Sequence, residues 1–168
     1  RAFGCAALRP GWESFVGLGE IPMRHGMTLG ELSNWYVASK GLTVNLEVVA
    51  MDQYDIVQGW PNTQLSWLNP SPNAPNVMMA RCYPGTVMLE GTHLSEGRGT
   101  TRPLEVVGSP KIDFMKILDW MQKQKPKWTQ GCHLRHCYFE PTFHKSKHEL
   151  CSGVQIHVDG PFYQSELF

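Results

Sequence analysis

The sequence predicts an α+β fold with a mixed or antiparallel sheet, a few helices and long ordered loops. Segments with helical spacing and segments with alternating apolar residues are interspersed along the chain, and they follow no regular βαβ rhythm. The 168 residues are 42% hydrophobic, enough to bury the core of one ordinary domain. We predict a lead-in segment or linker remnant over residues 1–21 and a single domain over residues 22–168.

The first helix is predicted at residues 29–40. Thr28 and Glu31 have the spacing of a capping box, apolar residues follow at helical spacing, and Gly41 provides a stop. Residues 44–51 alternate in part and are rich in β-branched side chains. They are therefore predicted to form a half-buried strand.

The middle of the chain is predicted to be irregular over residues 53–75. This segment is dense in proline, asparagine, serine and tryptophan, which favours an ordered, surface-forming loop. A short helix is expected after Pro75, with Asn76 near its first turn, and a strand is expected at residues 86–90.

The C-terminal third alternates between strand and helix patterns. PLEVVG (103–108) suggests a short strand, and Asp113 is placed to cap a helix over residues 114–123. HLRHCYFEP (133–141) and SGVQIHV (152–158) are predicted to form two further strands, of which the second alternates more regularly.

The charge balance and apolar runs exclude several function classes. The chain has fifteen Lys plus Arg and fifteen Asp plus Glu, so its formal net charge is zero. No overall electrostatic field therefore draws it to nucleic acid or to an anionic membrane. The longest apolar runs are far shorter than the roughly 20 residues that cross a bilayer. The five cysteines are scattered and odd in number, which indicates at most one disulfide. We expect no nucleic-acid or membrane partner and no cofactor.

The stretch EGTHLSEGRGTT, residues 90–101, combines glycines with hydroxyl and charged side chains. Its glycines free the backbone to take positive φ and to approach a ligand closely. The hydroxyls of Thr92 and Thr100 are suited to hydrogen-bonding polar groups. The pattern predicts a loop that grips a polyhydroxylated or carboxylated ligand.

Glu90 and Glu96 in this stretch are candidates for acid and base. Two carboxylates in different environments are the usual equipment for cleaving a glycosidic bond. Arg98 would hold one of them ionised or clamp a substrate carboxylate bidentately. The alternative is structural, with Arg98 and Glu96 pairing to rigidify a tight turn.

Arg24 and His25 form a second candidate cluster, just ahead of the first predicted helix. The unpaired NH groups of a helix N-terminus attract anions, and His25 would act there as acid, base or hydrogen-bond donor. The alternative is that Glu31 only completes the capping box and His25 satisfies a backbone carbonyl.

NPSPNAP is a third candidate, because its alternating prolines would hold Asn73 as a fixed polar contact. Trp60 and Trp67 lie nearby in sequence as possible stacking surfaces for a sugar ring. The alternative is a rigid loop that caps the core, with at least one of these tryptophans buried in packing.

A zinc site is an alternative interpretation of the C-terminal region, and we do not favour it. Cys132, Cys137, His144 and His148 are zinc-capable types, but their spacing departs from the classical finger pattern. The competing interpretation is a cysteine-bearing strand followed by an exposed basic loop, HKSKHE. We therefore predict no metal ligand.

Four motifs in series resemble one known family: FVGLGEIPMRHGMTLGEL, SWLNPSPNAPN, YPGTVMLEGTHLSEGRGTTRPLEVVGSP and FEPTFHKSKHELCSGVQIHV. They are similar to the C-terminal half of the NamZ-type exo-β-N-acetylmuramidases, and the resemblance runs from about Glu13 to Asp159. The family resemblance implies a bacterial hydrolase of cell-wall recycling, secreted or periplasmic, that removes N-acetylmuramic acid from the non-reducing end of peptidoglycan fragments.

The resemblance also implies a two-domain architecture. A Rossmann-like N-terminal domain would carry a Gly-Pro-Glu-His-Gly type segment with a catalytic glutamate, and a smaller C-terminal domain would close the cleft. That segment is absent from this sequence. Residues 22–168 are therefore expected to be the C-terminal domain alone, with the N-terminal domain as a missing partner.

The resemblance assigns roles to several residues by motif. Arg98 or Arg24 would hold the lactyl carboxylate of muramic acid, and Glu90 or Glu96 would have a supporting acid or base role. Two positions depart from the family pattern, since His93 replaces the usual Asn and Leu104 the usual Phe.

Asn73 and Thr92 would contact the sugar hydroxyls or the acetamido group. The chain would thus supply one wall of a glycosidase cleft for a muramic-acid-containing sugar or muropeptide. The alternative is a non-catalytic binding or interaction module that is inactive alone.

Overall fold

The computed structural model describes residues 11–15, 17, 20–22 and 24–158. Residues 1–10 of the predicted lead-in segment, together with Cys5, lie outside these described residues. The chain divides into two compact units, Arg1–Leu65 and Ser66–Phe168. The boundary predicted from sequence, between residues 21 and 22, differs from this division. In the described part of the chain, no helix is both long and apolar enough to cross a bilayer.

The first unit is organised around helix α1 (Leu29–Lys40), which confirms the predicted helix. The Thr28 hydroxyl accepts from the Glu31 backbone, and the Glu31 carboxylate accepts from the Thr28 N–H at 2.7 Å. The Thr28 N–H and then the Thr28 hydroxyl, both donating to the Glu31 carboxylate, lower its pKa. The helix ends at Gly41, whose positive φ of 60° a side chain would disfavour.

The strand predicted at residues 44–51 is wrong. The backbone there forms no strand with any part of the chain that the structure describes. Val48 packs over α1, where a Cβ on Gly30 would clash with it, while Val49 is 89% exposed. A strand needs a partner for its backbone groups, and β-branched composition does not supply one. Residues 53–75 are irregular as predicted, apart from a single 3₁₀ turn at Trp60–Asn62.

The second unit contains an antiparallel sheet of three strands: β1 (Val106–Ser109), β2 (Cys132–Phe139) and β3 (Cys151–Val158). Their order is β1-β3-β2, which places β1 at one edge. The α+β class and the antiparallel sheet are therefore confirmed, as are the three strand segments predicted in the C-terminal third.

The two helices predicted in the second unit are present, and each begins at a side-chain cap. Helix α2 (Val77–Thr86) starts at Asn76, whose side-chain oxygen accepts from the Met79 N–H at 2.9 Å. Helix α3 (Phe114–Gln124) starts at Asp113, whose carboxylate accepts from the Met115 and Lys116 N–H groups. Both side chains satisfy donors that a helix N-terminus leaves unpaired.

The strand predicted at residues 86–90 is also wrong. Once Asn76 has started α2, the helix continues to Thr86 and passes directly into a 3₁₀ turn at Val87–Gly91. No extended backbone is left for a strand. Glu90 therefore lies in a tight turn rather than at a strand end.

The core of the second unit lies between the helices and one face of β3. Phe114 and Leu118 of α3 pack against Val154, whereas Cys82 of α2 packs against Ile156. Between α3 and the sheet a cavity of about 220 Å³ remains. Its lining is nearly all apolar and includes Leu94, Val107, Phe114, Leu118, Leu134 and Val154.

Candidate functional site

The loop that carries Glu96 is attached to the edge strand of the sheet. Ser95 exchanges two backbone hydrogen bonds with Gly108 of β1, at 2.8 and 2.9 Å. Gly97 then turns the chain with a φ of 78°, at a point where a Cβ would clash with Val106. Leu104 donates its N–H to the Glu96 carbonyl at 2.7 Å. Glu96 is thereby held directly against the sheet and is 1% exposed.

Gly99 lets a distant segment approach this loop. Its φ is 85°, and a Cβ there would lie 2.7 Å from the Phe143 backbone nitrogen. Thr142 donates both its N–H and its hydroxyl to the Gly99 carbonyl, each at 2.9 Å. Only glycine allows two backbones so close together, so the segment after Pro141 reaches the Glu96 loop through this residue.

The buried Glu96 carboxylate is surrounded by basic side chains. Its Oε2 accepts from Lys145 Nζ at 3.0 Å. Its Oε1 lies 3.3 Å from His144 Nδ1 and 3.4 Å from Arg98 Nε, but forms no well-directed hydrogen bond to either. A buried carboxylate costs several kcal/mol unless it is paired in this way.

Lys145 connects this carboxylate to the backbone of the same loop. Its ammonium donates to the carbonyls of Leu89, Glu90 and Leu94 at 2.9 to 3.1 Å, in addition to Glu96. An ammonium has three protons, so these four acceptors saturate it. Its side chain is only 22% exposed.

Arg98 faces both candidate carboxylates. Its Nε donates to Glu90 Oε1 at 3.2 Å, its Nη2 makes a close ion pair with the same oxygen, and Nε also lies near Glu96. The Glu90 side chain is 38% exposed, in contrast to that of Glu96. The two carboxylates therefore have different environments, which is the usual condition for one to act as acid and the other as base.

Arg98 also lines a cavity of about 340 Å³. The other lining residues are Pro70, Ser71, Asn73, Ala74, Met79, Ala80, Tyr83 and Leu104. The loop carrying Asn73 is held in place because Trp67 Nε1 donates to the Ala74 carbonyl at 2.9 Å. The cavity thus combines a cation, an amide and a half-exposed aromatic ring with apolar walls, which suits a small polar ligand with one apolar face.

Comparison with known proteins now decides the family. Residues 81–166 match the family model described as exo-β-N-acetylmuramidase NamZ, C-terminal, and residues 2–78 match its N-terminal counterpart. This chain belongs to the NamZ exo-β-N-acetylmuramidase family. The match over residues 2–78 includes sequence that we assigned to the lead-in segment and to a C-terminal domain.

One curated relative of this NamZ-family chain is the peptidoglycan β-N-acetylmuramidase NamZ of Bacillus subtilis, 40% identical over 151 residues. The match covers 90% of this chain and 36% of the relative, so the chain spans little more than a third of that protein.

Two solved structures of DUF1343 family proteins from Bacteroides fragilis share the fold. Each is 27% identical to this chain, with TM-scores of 0.82 and 0.67. They cover 95% and 99% of this chain, which corresponds to 42% of each solved protein.

The structure brings Glu90, Glu96 and Arg98 of this NamZ-family chain together, and Arg98 shares a cavity with Asn73. The two predicted threonines are engaged locally. The Thr92 hydroxyl donates to the Leu89 carbonyl, and the Thr100 hydroxyl donates to the Gly97 carbonyl. Both hydroxyls also accept from a backbone N–H, so they stabilise turns. The roles of these residues toward a ligand stay predictions.

Arg24 and His25 belong to the first unit, whereas the Glu96 network belongs to the second. His25 is half-buried, and its Nδ1 accepts from the Met27 N–H at 3.1 Å. The structural alternative stated from sequence was that His25 donates to a backbone carbonyl. In the structure its Nδ1 instead accepts from a backbone N–H. The capping role of Glu31 is present as predicted.

Lys145 and His144 were not predicted as members of the site. They lie in HKSKHE, which was interpreted as an exposed basic loop, and that interpretation is wrong for Lys145. The one available signal was that FEPTFHKSKHEL belongs to the motifs shared with the NamZ family. His144 has a φ of 68°, a left-handed conformation unusual for a residue with a side chain.

The zinc interpretation finds no geometric support in the part of the chain that the structure describes. No three or more His, Cys, Asp or Glu side chains gather there at metal-binding distance. Cys132 packs in the apolar core beside Cys82, and His148 lies 3.8 Å from Glu140.

Proposed function

We propose that this chain forms part of a glycosidase that cleaves N-acetylmuramic acid from the non-reducing end of peptidoglycan fragments, and that it supplies one wall of the substrate cleft. The observation that supports this most is the cavity shared by Arg98 and Asn73. A muramic acid residue differs from other amino sugars by its lactyl carboxylate. An arginine held beside an uncharged amide is suited to binding that carboxylate.

Arg98 retains hydrogen-bonding capacity for a ligand. Glu90 engages its Nε and Nη2 through a single oxygen. A guanidinium carries five N–H donors in a planar fork, so donors remain for a second carboxylate. Because Lys145 neutralises Glu96, the positive charge of Arg98 is balanced mainly by the half-exposed Glu90. A ligand carboxylate would meet a cation that is oriented but incompletely neutralised.

The rest of the cavity suits one sugar ring. Its volume of about 340 Å³ lies in the range of small-molecule sites. The side chains of Asn73 and Ser71 would meet hydroxyl or acetamido groups, and the ring of Tyr83, 38% exposed, would meet the apolar face of the sugar. The ligand in this proposal is a muramic-acid-containing sugar or muropeptide.

The two carboxylates divide into different roles in this proposal. Glu90 is accessible and would give acid or base support. Glu96 is buried among Arg98, His144 and Lys145, which favours an anchoring role over proton transfer. This burial is also the observation that favours the alternative function, a non-catalytic muropeptide-binding module that is inactive alone.

The test is release of N-acetylmuramic acid from the disaccharide MurNAc-β-1,4-GlcNAc by the purified chain. The isomer GlcNAc-β-1,4-MurNAc is the control for the order of the sugars. Release from the first disaccharide alone supports the glycosidase. Saturable binding of the first without release supports the binding module. Absence of both in a folded chain contradicts the proposal.

Arg98→Ala is the matched variant for that assay, and Arg135→Ala is its control. Arg135 is an exposed arginine on β2 that does not line the cavity. We expect Arg98→Ala to weaken recognition of the muramic acid disaccharide roughly tenfold or more, the effect of one charge-assisted hydrogen bond. Arg135→Ala should leave it unchanged.

A further inference from the structure

Lys145 is a half-buried cation to which the family resemblance assigns no role. Across 49 to 56 residues of sequence, its ammonium donates to the Leu89 and Glu90 carbonyls within the 3₁₀ turn, to the Leu94 carbonyl beyond the turn and to the Glu96 carboxylate. Both carboxylates that face Arg98 are therefore fixed by the same ammonium, Glu90 through its backbone and Glu96 through its side chain.

Arg98 Nε lies between two competing acceptors. It is 3.2 Å from Glu90 Oε1 and 3.4 Å from Glu96 Oε1, and only the contact to Glu90 has hydrogen-bond geometry. Glu96 does not compete effectively because Lys145 already holds its other oxygen. Without the ammonium, the Glu96 carboxylate, which is 1% exposed, would be left with the Arg98 guanidinium and the His144 imidazole as its neighbours. Its desolvation would then draw the guanidinium inward.

We propose that Lys145 is a positioning residue that, by neutralising Glu96, keeps the Arg98 guanidinium on Glu90 and directed at the cavity. The ligand consequence of this inference rests on the function proposed above. The orientation of Arg98 does not depend on a ligand and is measured separately.

The first measurement is hydrogen exchange of the Arg98 Nε–H by NMR in the chain without ligand. Lys145→Met keeps an unbranched side chain and removes the charge. Its control is Lys147→Met, an exposed lysine of the same loop. We expect Lys145→Met to shift the Arg98 resonance and to change its exchange rate about tenfold, the effect of replacing one hydrogen bond. Lys147→Met should change neither, and an unaltered Arg98 signal in Lys145→Met overturns the proposal.

A double variant separates positioning from loss of stability. In Lys145→Met/Glu96→Gln no buried charge is left to attract Arg98, so its Nε–H signal should return to that of the wild type. This variant also carries the test if Lys145→Met alone fails to fold. An Arg98 signal that stays displaced in the folded double variant overturns the proposal.

The ligand readout uses N-acetylmuramic acid and N-acetylglucosamine, which lacks the lactyl carboxylate. Lys145→Met should weaken binding of N-acetylmuramic acid about tenfold and leave binding of N-acetylglucosamine unchanged. In the Arg98→Ala background, Lys145→Met should cause no further loss of affinity for N-acetylmuramic acid. Equal weakening for both sugars, or additive losses with Arg98→Ala, contradicts an action through Arg98. If the wild type binds neither sugar while the NMR changes occur, the proposed function fails and the positioning role of Lys145 stands.

Discussion

Two cavities among the described residues of the second unit have opposite construction. The one between α3 and the sheet, about 220 Å³, is lined mainly by residues of the helices and the sheet and is almost entirely apolar. The one at Arg98, about 340 Å³, is formed by loops and α2 and contains an arginine and an amide. The first depends on non-directional packing, whereas the second depends on directional bonds from residues far apart in sequence. Packing defects should therefore affect stability alone, and network defects should affect stability and binding together.

The largest expected effect is on the network. Glu96→Ala would leave the half-buried Lys145 without its carboxylate and would remove the carboxylate that Arg98 and His144 face. We expect the free energy of unfolding to fall by about 3–5 kcal/mol, the usual cost of breaking a buried ion pair, together with a loss of muramic acid binding. Urea unfolding measures the change in stability, and calorimetric titration measures the change in binding.

The control for that change is Glu149→Ala, an exposed glutamate in the segment that carries Lys145. Its effect should stay within about 0.5 kcal/mol, as for ordinary surface substitutions. A loss below about 1 kcal/mol in Glu96→Ala would mean that the ion pairs around Glu96 are not the support described here.

The apolar cavity gives the next largest effect. Leu118 is buried on α3 and lines that cavity. Leu118→Ala should lower the free energy of unfolding by about 2–4 kcal/mol, because methyl groups are lost and the existing void enlarges. Unlike Glu96→Ala, it should leave sugar affinity unchanged in the folded protein. Met115→Ala, an exposed position on the same helix, is the control, and a change of sugar affinity in Leu118→Ala would erase the distinction between the two cavities.

Alkaline pH should lower stability through Cys82, which lies in the apolar core of the second unit. Burial raises the pKa of this thiol from 9.0 to about 12. Between these values the unfolded chain has released the proton and the folded chain retains it, so stability falls as pH rises from about 9 towards 12. From pH 7 to pH 10 the wild type should lose about 1–2 kcal/mol more than Cys82→Ala in urea unfolding. Identical pH dependence in the two proteins would contradict this assignment.

The smallest effect is expected at the cap of α3. Asp113 accepts from the Met115 and Lys116 backbone N–H groups. Asp113→Ala should cost about 1 kcal/mol of stability and should not alter sugar binding. Asp119→Ala, an exposed aspartate of the same helix that pairs with Lys123, should cost less than half of that. A cost for Asp119 equal to that for Asp113 would show that capping is not the source of the effect.

The sequence separation of the interacting residues explains which elements could be predicted. The helix at residues 29–40 follows from Thr28, Glu31 and Gly41, which act within one or two turns, so local patterns sufficed. The strands at residues 44–51 and 86–90 were wrong because β-branched composition does not specify a partner strand, and because a helix already begun at Asn76 extends through Thr86.

The site was predicted in part for a related reason. Glu90, Glu96 and Arg98 lie within nine residues, so their proximity was visible in the sequence. Lys145 and His144 reach Glu96 only because Gly99 allows the two backbones to touch. A contact across almost 50 residues leaves no local periodicity, and no pattern of residue types indicates which lysine of HKSKHE is buried.

Calorimetric titration of this chain with N-acetylmuramic acid, with N-acetylglucosamine as control, tests the central claim that Arg98 recognises the lactyl carboxylate. The account predicts an affinity for N-acetylmuramic acid at least about tenfold higher, corresponding to one charge-assisted hydrogen bond. It also predicts that Arg98→Ala removes the difference. Equal affinities in the wild type, or a preference that survives Arg98→Ala, would contradict the account.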